Sequence, residues 1–328
     1  MQDFSQLGRR EAIRLLFEGS KFEPFGDCSF VPGDGRKAVA ASRLMLEGID
    51  FDLVYFPLKH LGYKSVVCIT GELYAAQAVP ETLAVRLGLS AKLDFEQVKE
   101  LWSGILAATE EFGYSKLSLD LQPSQTGLTI SVNACGAAPL EPLAAPASKD
   151  LLCITGRPGA AYFGLQVLEK GKTAADTQKE LERYRMLVAA YLRPELPAAL
   201  PAKLAESGIT PSAACLVDRG LADALLRLTA ATGLGAKVYA DRIPFESGSF
   251  ELGKSLDIDP VSAAMNGGED FCILFAVPIS QYEALRHDLQ AFDIIGHLAQ
   301  ADVGAVLVTP DGLEHRVSAP GWPTDDNS

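Results

Sequence analysis

The stretch Asn266-Gly267-Gly268-Glu269-Asp270-Phe271 stands between two segments with clear patterns. Before it, Leu256-Asp257-Ile258-Asp259-Pro260-Val261-Ser262-Ala263-Ala264-Met265 reads as a turn that enters a short helix. After it, Cys272-Ile273-Leu274-Phe275-Ala276-Val277 is an apolar run of strand length, closed by Pro278. Two glycines and two carboxylates at a strand entrance let backbone approach a ligand closely while the acids stand at the rim. An ordinary turn into a buried strand draws on the same residue types, so the surrounding chain has to decide.

The chain has 328 residues, enough for two domains. A hydrophobic content of 48% with 22% charged residues describes a globular protein with ample core material. The net charge of −13 argues against DNA or RNA as a partner, because a phosphate backbone needs a basic face. A local basic pocket for one small anion remains compatible with it. No stretch approaches the ~18 apolar residues of a membrane span. The first ten residues carry arginines with no apolar segment behind them, which argues against a secretory signal. Cys28, Cys68, Cys135, Cys153, Cys215 and Cys272 are scattered singly, without C-x-x-C spacing. Buried thiols in a reducing cytoplasm are therefore expected, rather than disulfides or a zinc site.

Working back from the start, residues 5–19 read as a short amphipathic helix, and Asp27 stands at the mouth of a strand ending at Val31. The turn Pro32-Gly33-Asp34-Gly35 leads into a strand from Ala38 to Leu46 that contains Arg43. A loop over 47–52 precedes a helix from His60 to Ala78 with Glu72 in its middle. A strand over 82–89, a helix over 95–112, and strands over 117–121 and 128–136 complete an α+β half. The Ala/Pro-rich segment 137–148 is a plausible connector. The second half reads as a strand over 151–155, a glycine turn at Gly156 and Gly159, and helices over 160–169, 177–191, 196–207 and 221–232. A strand over 237–240, the strand after the Gly-Gly pair, a helix over 280–290, a strand over 294–299 and a hairpin over 305–317 follow.

Asp27, Glu72 and Asp120 each sit beside apolar residues and so belong near a core edge. Carboxylates converging from separate elements make a hard-cation site of the magnesium type, with phosphate oxygens as further ligands. Two of them about 5 Å apart at an effective dielectric of ~20 repel by about 3 kcal/mol, so a cation or an arginine must accompany any such cluster. The chain has no Walker-type loop, no kinase Gly-rich loop with its catalytic partner and no Gly-x-Ser-x-Gly. The four histidines show no pairing pattern.

Across nearly the whole chain, several segments occur in a recognisable order. These are Glu47-Gly48-Ile49-Asp50-Phe51, Gly62-Tyr63-Lys64-Ser65, Thr155-Gly156-Arg157-Pro158-Gly159-Ala160-Ala161-Tyr162-Phe163-Gly164-Leu165, Asp257-Ile258-Asp259-Pro260 and the Gly-Gly-Glu-Asp segment. Together they resemble the bacterial thiamine-monophosphate kinases, of the ATP-binding superfamily that includes aminoimidazole ribonucleotide synthetase and selenophosphate synthetase. The resemblance implies a two-lobed, PurM-like α+β fold. Residues 1–138 would be an ATP- and magnesium-binding domain that forms a homodimer, and residues 149–328 the second domain. It implies ATP-dependent phosphorylation of thiamine monophosphate to thiamine diphosphate. Residue by residue, Asp27, Glu72 and Asp120 become expected Mg2+ ligands, and Arg43, Asp120, Asp218 and Arg219 expected nucleotide-site residues. Asp120 and Arg219 are the expected catalytic pair. Asp50, Gly267, Gly268, Glu269, Asp270 and Trp322 would line the acceptor.

The chain also departs from the family. Its Gly-Asp-Asp loop is Phe25-Gly26-Asp27 here, and Ser-Thr-Asp is Ala41-Ser42-Arg43. The loop histidine is Asp50, Asn-Leu-Ser-Asp is Ile69-Thr70-Gly71-Glu72, and Gly-Gly-Asp-Thr is Ser118-Leu119-Asp120-Leu121. Ser-Asp-Gly-Leu is Asp218-Arg219-Gly220-Leu221. Two family aspartates are thus arginines, a change of about +4 in charge, comparable to two magnesium ions. Arg43 and Arg219 would hold phosphate, or pair with leftover acids, or simply mark decay of the metal site. An impaired relative that binds a phosphorylated ligand or a protein partner is the alternative to a working kinase.

Overall fold

The computed structural model describes residues 28–32, 36–139, 144–171, 177–287 and 292–319. The expected helix over 5–19, Asp27, the turn at 33–35 and the Pro320-Gly321-Trp322 segment lie outside the described residues. The first sheet contains β1 (Cys28–Pro32), β2 (Lys37–Leu46), β3 (Val79–Ser90), β4 (Lys116–Ser124) and β5 (Thr129–Ala138), in the order β1-β2-β5-β3-β4. All neighbours are antiparallel except β3 and β4. That parallel pair needs a crossover, supplied by α2 (Phe95–Glu111), whose start is fixed by a capping box between Asp94 and Gln97.

The other helix of this half, α1 (Leu58–Ala75), is buried along almost its whole length. It crosses α2 at glycines: a Cβ on Gly62 would lie 2.0 Å from the Leu101 carbonyl oxygen, and one on Gly104 1.9 Å from that of Lys59. Its other side meets the second sheet, where a Cβ on Gly71 would run into the Leu216 side chain. One apolar core therefore runs from Val85 and Val132 through Val66 and Ile69 to Leu216, Ile273 and Phe275. Its size explains why α1 carries little of the usual polar face.

The second sheet holds seven strands in the order β12-β11-β8-β10-β6-β9-β7. They are β6 (Leu151–Ile154), β7 (Ala213–Val217), β8 (Gly235–Tyr239), β9 (Cys272–Val277), β10 (Asp293–Ala299), β11 (Ala305–Val308) and β12 (Glu314–Arg316). Every residue of β9 is buried, as its unbroken apolar run requires. Helices α3 (Ala160–Gly171), α4 (Thr177–Arg183), α5 (Arg185–Leu192), α6 (Leu200–Glu206), α7 (Leu221–Thr232), α8 (Ser249–Leu256), α9 (Pro260–Asn266) and α10 (Tyr282–His287) accompany it. No helix among the described residues is long and apolar enough to cross a membrane.

The mixed α/β architecture follows the expected order, with local corrections. The helix expected over 177–191 is two helices, because a break at Tyr184 lets Tyr184 and Leu187 both pack on Phe163 of α3. The helix expected from 196 begins only at Leu200, after Ala199 in the left-handed region at φ 55° and with Pro201 in its first turn. The helix expected over 280–290 is a 3-10 turn followed by α10, with 288–291 outside the described residues. Glu72 lies in the last turn of α1, not its middle. Strand β7 and helix α8 were not legible from the sequence: β7 is a short edge strand of small residues, and α8 has glycine at its interior.

Candidate functional site

The Gly-Gly-Glu-Asp segment joins α9 to β9 in a conformation few sequences tolerate. Gly268, Glu269 and Phe271 have φ of 78°, 62° and 49°. The two non-glycine residues in this region store strain that the surroundings must hold. A Cβ on Gly267 would lie 2.5 Å from the Ala263 carbonyl oxygen and 2.6 Å from the Tyr162 Cβ. Three contacts hold the segment. The Glu269 N–H donates to the Asp218 carbonyl oxygen at 2.7 Å. The buried Asp270 carboxylate accepts from the Gly159 and Ala161 N–H groups at 2.8 and 3.1 Å, at the start of α3. The Lys64 Nζ of α1 donates to Glu269 Oε2 at 2.6 Å. Burial pushes the Asp270 carboxyl up to about 7, against the two N–H donors, which favour its charged form.

A cleft of about 350 Å3 opens beside this segment. Its walls are the loop after β2 with Asp50, Asp52 and Tyr55, the α3 residues Tyr162 and Glu169, Tyr191 of α5, and Gly267, Gly268 and Glu269. Asp50 accepts the Leu46 N–H at 2.7 Å, and burial raises its carboxyl above the usual range. The wall is thus both acidic and rich in tyrosine. A larger cleft of about 740 Å3 opens between α7–α9 and β11–β12, with Phe245 and Phe250 among its mostly apolar walls. Asp259 there is already engaged in capping α9 through the Ser262 N–H. The smaller cleft is therefore the candidate site.

Next to Gly268, the loop between β7 and α7 carries Asp218, Arg219 and Gly220. The Asp218 side chain is 1% exposed and faces three guanidinium groups. Arg43 Nη1 of β2 stands 2.9 Å from its Oδ2, Arg219 Nη1 3.1 Å from the same oxygen, and Arg227 Nη2 of α7 2.9 Å from its Oδ1. Arg227 also reaches Asp223 through Nε at 2.8 Å, and Arg43 lies over the Phe271 ring. Burial alone would raise the Asp218 carboxyl, but Arg43, Arg219 and Arg227 together hold it below the usual carboxylate range. Arg43 and Arg219 thus pair with an acid, but that acid, Asp218, stands where the family has serine and is not one of its leftover metal ligands. Arg219, 40% exposed, keeps part of its guanidinium towards solvent.

Two of the expected metal residues, Glu72 and Asp120, fall elsewhere. Asp27 and Trp322 lie outside the described residues. Glu72 is buried in α1, on the face of the first sheet that the helices cover. Asp120 is exposed on edge strand β4, in register with Arg86, Ser131 and Leu44. The adjacent row runs from Arg43 through the buried Val132 and Val85 to Leu119. Because strand side chains alternate, Asp120 points to the uncovered face, away from α1 and Glu72. The structure does not bring Glu72 and Asp120 together. Among the described residues, no three His, Cys, Asp or Glu side chains are grouped to hold a metal. Among the described residues, the donor set does not fit a magnesium cluster.

Three groups at the site escaped the sequence reading. Arg227 had a signal: it stands four residues after Asp223 on one helix face. Lys64 stood in the quoted Gly62-Tyr63-Lys64-Ser65 segment, with no role assigned to it. Tyr162 stands in the Thr155–Leu165 segment without a role assigned to it there, and Tyr55 and Tyr191, from two other elements, had no signal.

No family model matches the chain. It is 26% identical over 242 residues to a thiamine-monophosphate kinase of Rhodopirellula baltica, covering 74% of this chain and 68% of that one. It is 24% identical over 318 residues to a thiamine-monophosphate kinase of Synechococcus elongatus, covering 94% and 91%. A solved structure of AaThiL complexed with AMPPCP and TMP superimposes with a TM-score of 0.81 at 20% identity, covering 98% of both chains.

Proposed function

We propose, from the premise that this chain belongs to the thiamine-monophosphate kinase family, that it binds thiamine monophosphate and phosphorylates it with ATP. The observation that carries the reading is the junction of two unlike surfaces. Thiamine monophosphate joins a cationic thiazolium ring to a phosphate. The cleft offers tyrosine faces and the carboxylates of Asp50 and Glu269 to a cationic ring. Arg219, whose backbone lies against Gly268, offers a partly exposed guanidinium to a phosphate, with the more buried Arg43 adding positive charge behind it on Asp218. Phosphoryl transfer asks a protein chiefly for charge neutralisation and positioning, and needs no strong base. Arg219, with its partly exposed guanidinium, supplies charge; Asp218 holds Arg219 and Arg43 in place; Gly268 lets backbone come close.

This reading takes residues 1–138 and 149–328 as the two lobes. It pairs two copies through the uncovered face of the first sheet, where Leu44 and Leu46 are exposed. A second reading, binding without turnover, is favoured by one observation: Asp218 already engages the guanidinium groups that would meet a triphosphate. Calorimetry with thiamine monophosphate, and chromatography for thiamine diphosphate after incubation with ATP and magnesium, separate the two. Binding with turnover supports the kinase, and binding without it supports the second reading. Absence of both sinks the site assignment. Repeating turnover in EDTA shows whether guanidinium charge alone suffices.

A further inference from the structure

Lys64 takes no part in the function above, yet its side chain is fully buried. Its Nζ lies 2.6 Å from Glu269 Oε2 and sits 3.8 Å from the centre of the Tyr191 ring, 5.0 Å from that of Phe56 and 5.8 Å from that of Phe271. Removing an ammonium from water costs several kcal/mol, recovered only where partners are close and well directed. A methionine would fill the same volume without that cost. Burial lowers the Lys64 ammonium from its ordinary range, and Glu269 opposes the shift.

What the ammonium touches defines its role. Glu269 and Tyr191 both line the cleft, and Glu269 is 25% exposed there. Glu269 also sits in the left-handed region, a conformation that relaxes unless its side chain or its neighbours hold it. Lys64 reaches it from α1, the most deeply packed helix of the described residues, so the anchor itself cannot drift. One cation thereby holds two walls of the cleft: the carboxylate by a charge-assisted hydrogen bond, the tyrosine by its ring face.

We propose that Lys64 is a positioning residue: it holds Glu269 and Tyr191 in the orientation that receives the cationic ring of the ligand. The inference rests on thiamine monophosphate as that ligand, and its test is arranged to fail separately. Hydrogen exchange is measured on the ligand-free protein for the wild type, Lys64→Met and Lys64→Gln, with circular dichroism to confirm folding. Calorimetry with thiamine monophosphate follows on the same samples. In Lys64→Met, the amides of residues 266–271 are expected to exchange about tenfold faster or more, with those of α1 unchanged. Affinity should fall about tenfold or more. Glutamine can still donate to Glu269, so Lys64→Gln should stay within about threefold of wild type in both readouts.

Unchanged exchange and affinity in Lys64→Met overturn the proposal. So does a Lys64→Gln variant as impaired as Lys64→Met, or faster exchange spread along α1, which marks a role in packing alone. Should Lys64→Met not fold, Glu269→Ala releases the loop from the other end. Faster exchange at residues 266–271 is then expected and its absence is equally decisive; affinity is not the readout for this variant, because Glu269 itself faces the ligand. A wild type that binds no thiamine monophosphate refutes the ligand, while the ligand-free exchange still judges Lys64.

Discussion

Replacing Asp218 by asparagine removes one negative charge from the midst of three guanidinium groups at almost no change in volume. The cost does not spread equally over the three. Arg227 keeps Asp223 at 2.8 Å, and Arg219 is 40% exposed and can turn to water. Arg43 has neither escape, since its side chain is only 15% exposed. Two unit charges about 4 Å apart at an effective dielectric of ~20 attract by about 4 kcal/mol. The Phe271 ring and the new amide oxygen return part of this, leaving about 3 kcal/mol, within the range for breaking a buried pair. With an unfolding entropy of about 2.1 cal/mol/K per residue, that predicts a fall in Tm of about 4 °C. Differential scanning calorimetry at neutral pH in low and high salt is the assay. The loss should persist in salt, because the pair is shielded from solvent. The double variant Arg43→Met with Asp218→Asn should recover much of it, since no charge is then buried alone. A single variant as stable as wild type, or a double variant worse than the sum of its parts, refutes the assignment of Arg43 as the dependent partner.

The Asp270 carboxyl, raised to about 7 from 3.8, contributes stability that is fully present below pH 3.8 and lost as pH rises through 7. That difference of about three units corresponds to about 4 kcal/mol. Asp270→Asn should therefore show a shallower decline in stability than wild type between pH 4 and 7, and parallel curves would contradict this. Gly220 has φ 89° and ψ 159°, and a Cβ there would lie 2.4 Å from the Met265 carbonyl oxygen. Gly220→Ala should cost about 2 kcal/mol or more and lower Tm by at least about 3 °C, whereas an unchanged Tm would mean the loop can move apart freely. If two copies pair through the uncovered face as proposed, the wild type should sediment as a dimer and Leu44→Asp combined with Leu46→Asp as a monomer in analytical ultracentrifugation, with circular dichroism unchanged. A dimer that survives both charges places its interface elsewhere.

Much of the fold was legible because long periodic segments carry their own evidence. The helix over 95–111 and the strand Cys272–Val277 follow from their apolar patterns, and the helix over 58–75 was expected with its bounds shifted to 60–78, because it is buried on nearly every side. The Gly-Gly-Glu-Asp segment stood out as a candidate site because two glycines beside two acids make a pattern in the chain itself. The helix break at Tyr184 and strand β7 were not, because each depends on what another element buries. Placement of the acids was beyond the sequence for the same reason. Asp120 and Arg43 both read as polar residues in strands, and only the register of β2, β5, β3 and β4 puts them on opposite faces.

By itself, then, the order of residues determined most of the elements, the glycine loop and the exchange of two expected acids for arginine. Only the tertiary structure decided what those arginines do, because a charge takes its meaning from the charges within a few ångströms of it. Asp218, Arg43 and Arg227 come from a loop, a strand and a helix up to 184 positions apart, and no local pattern announces that they meet. Lys64 and Glu269 are separated by 205 positions, and their pairing exists only because α1 packs between the two sheets.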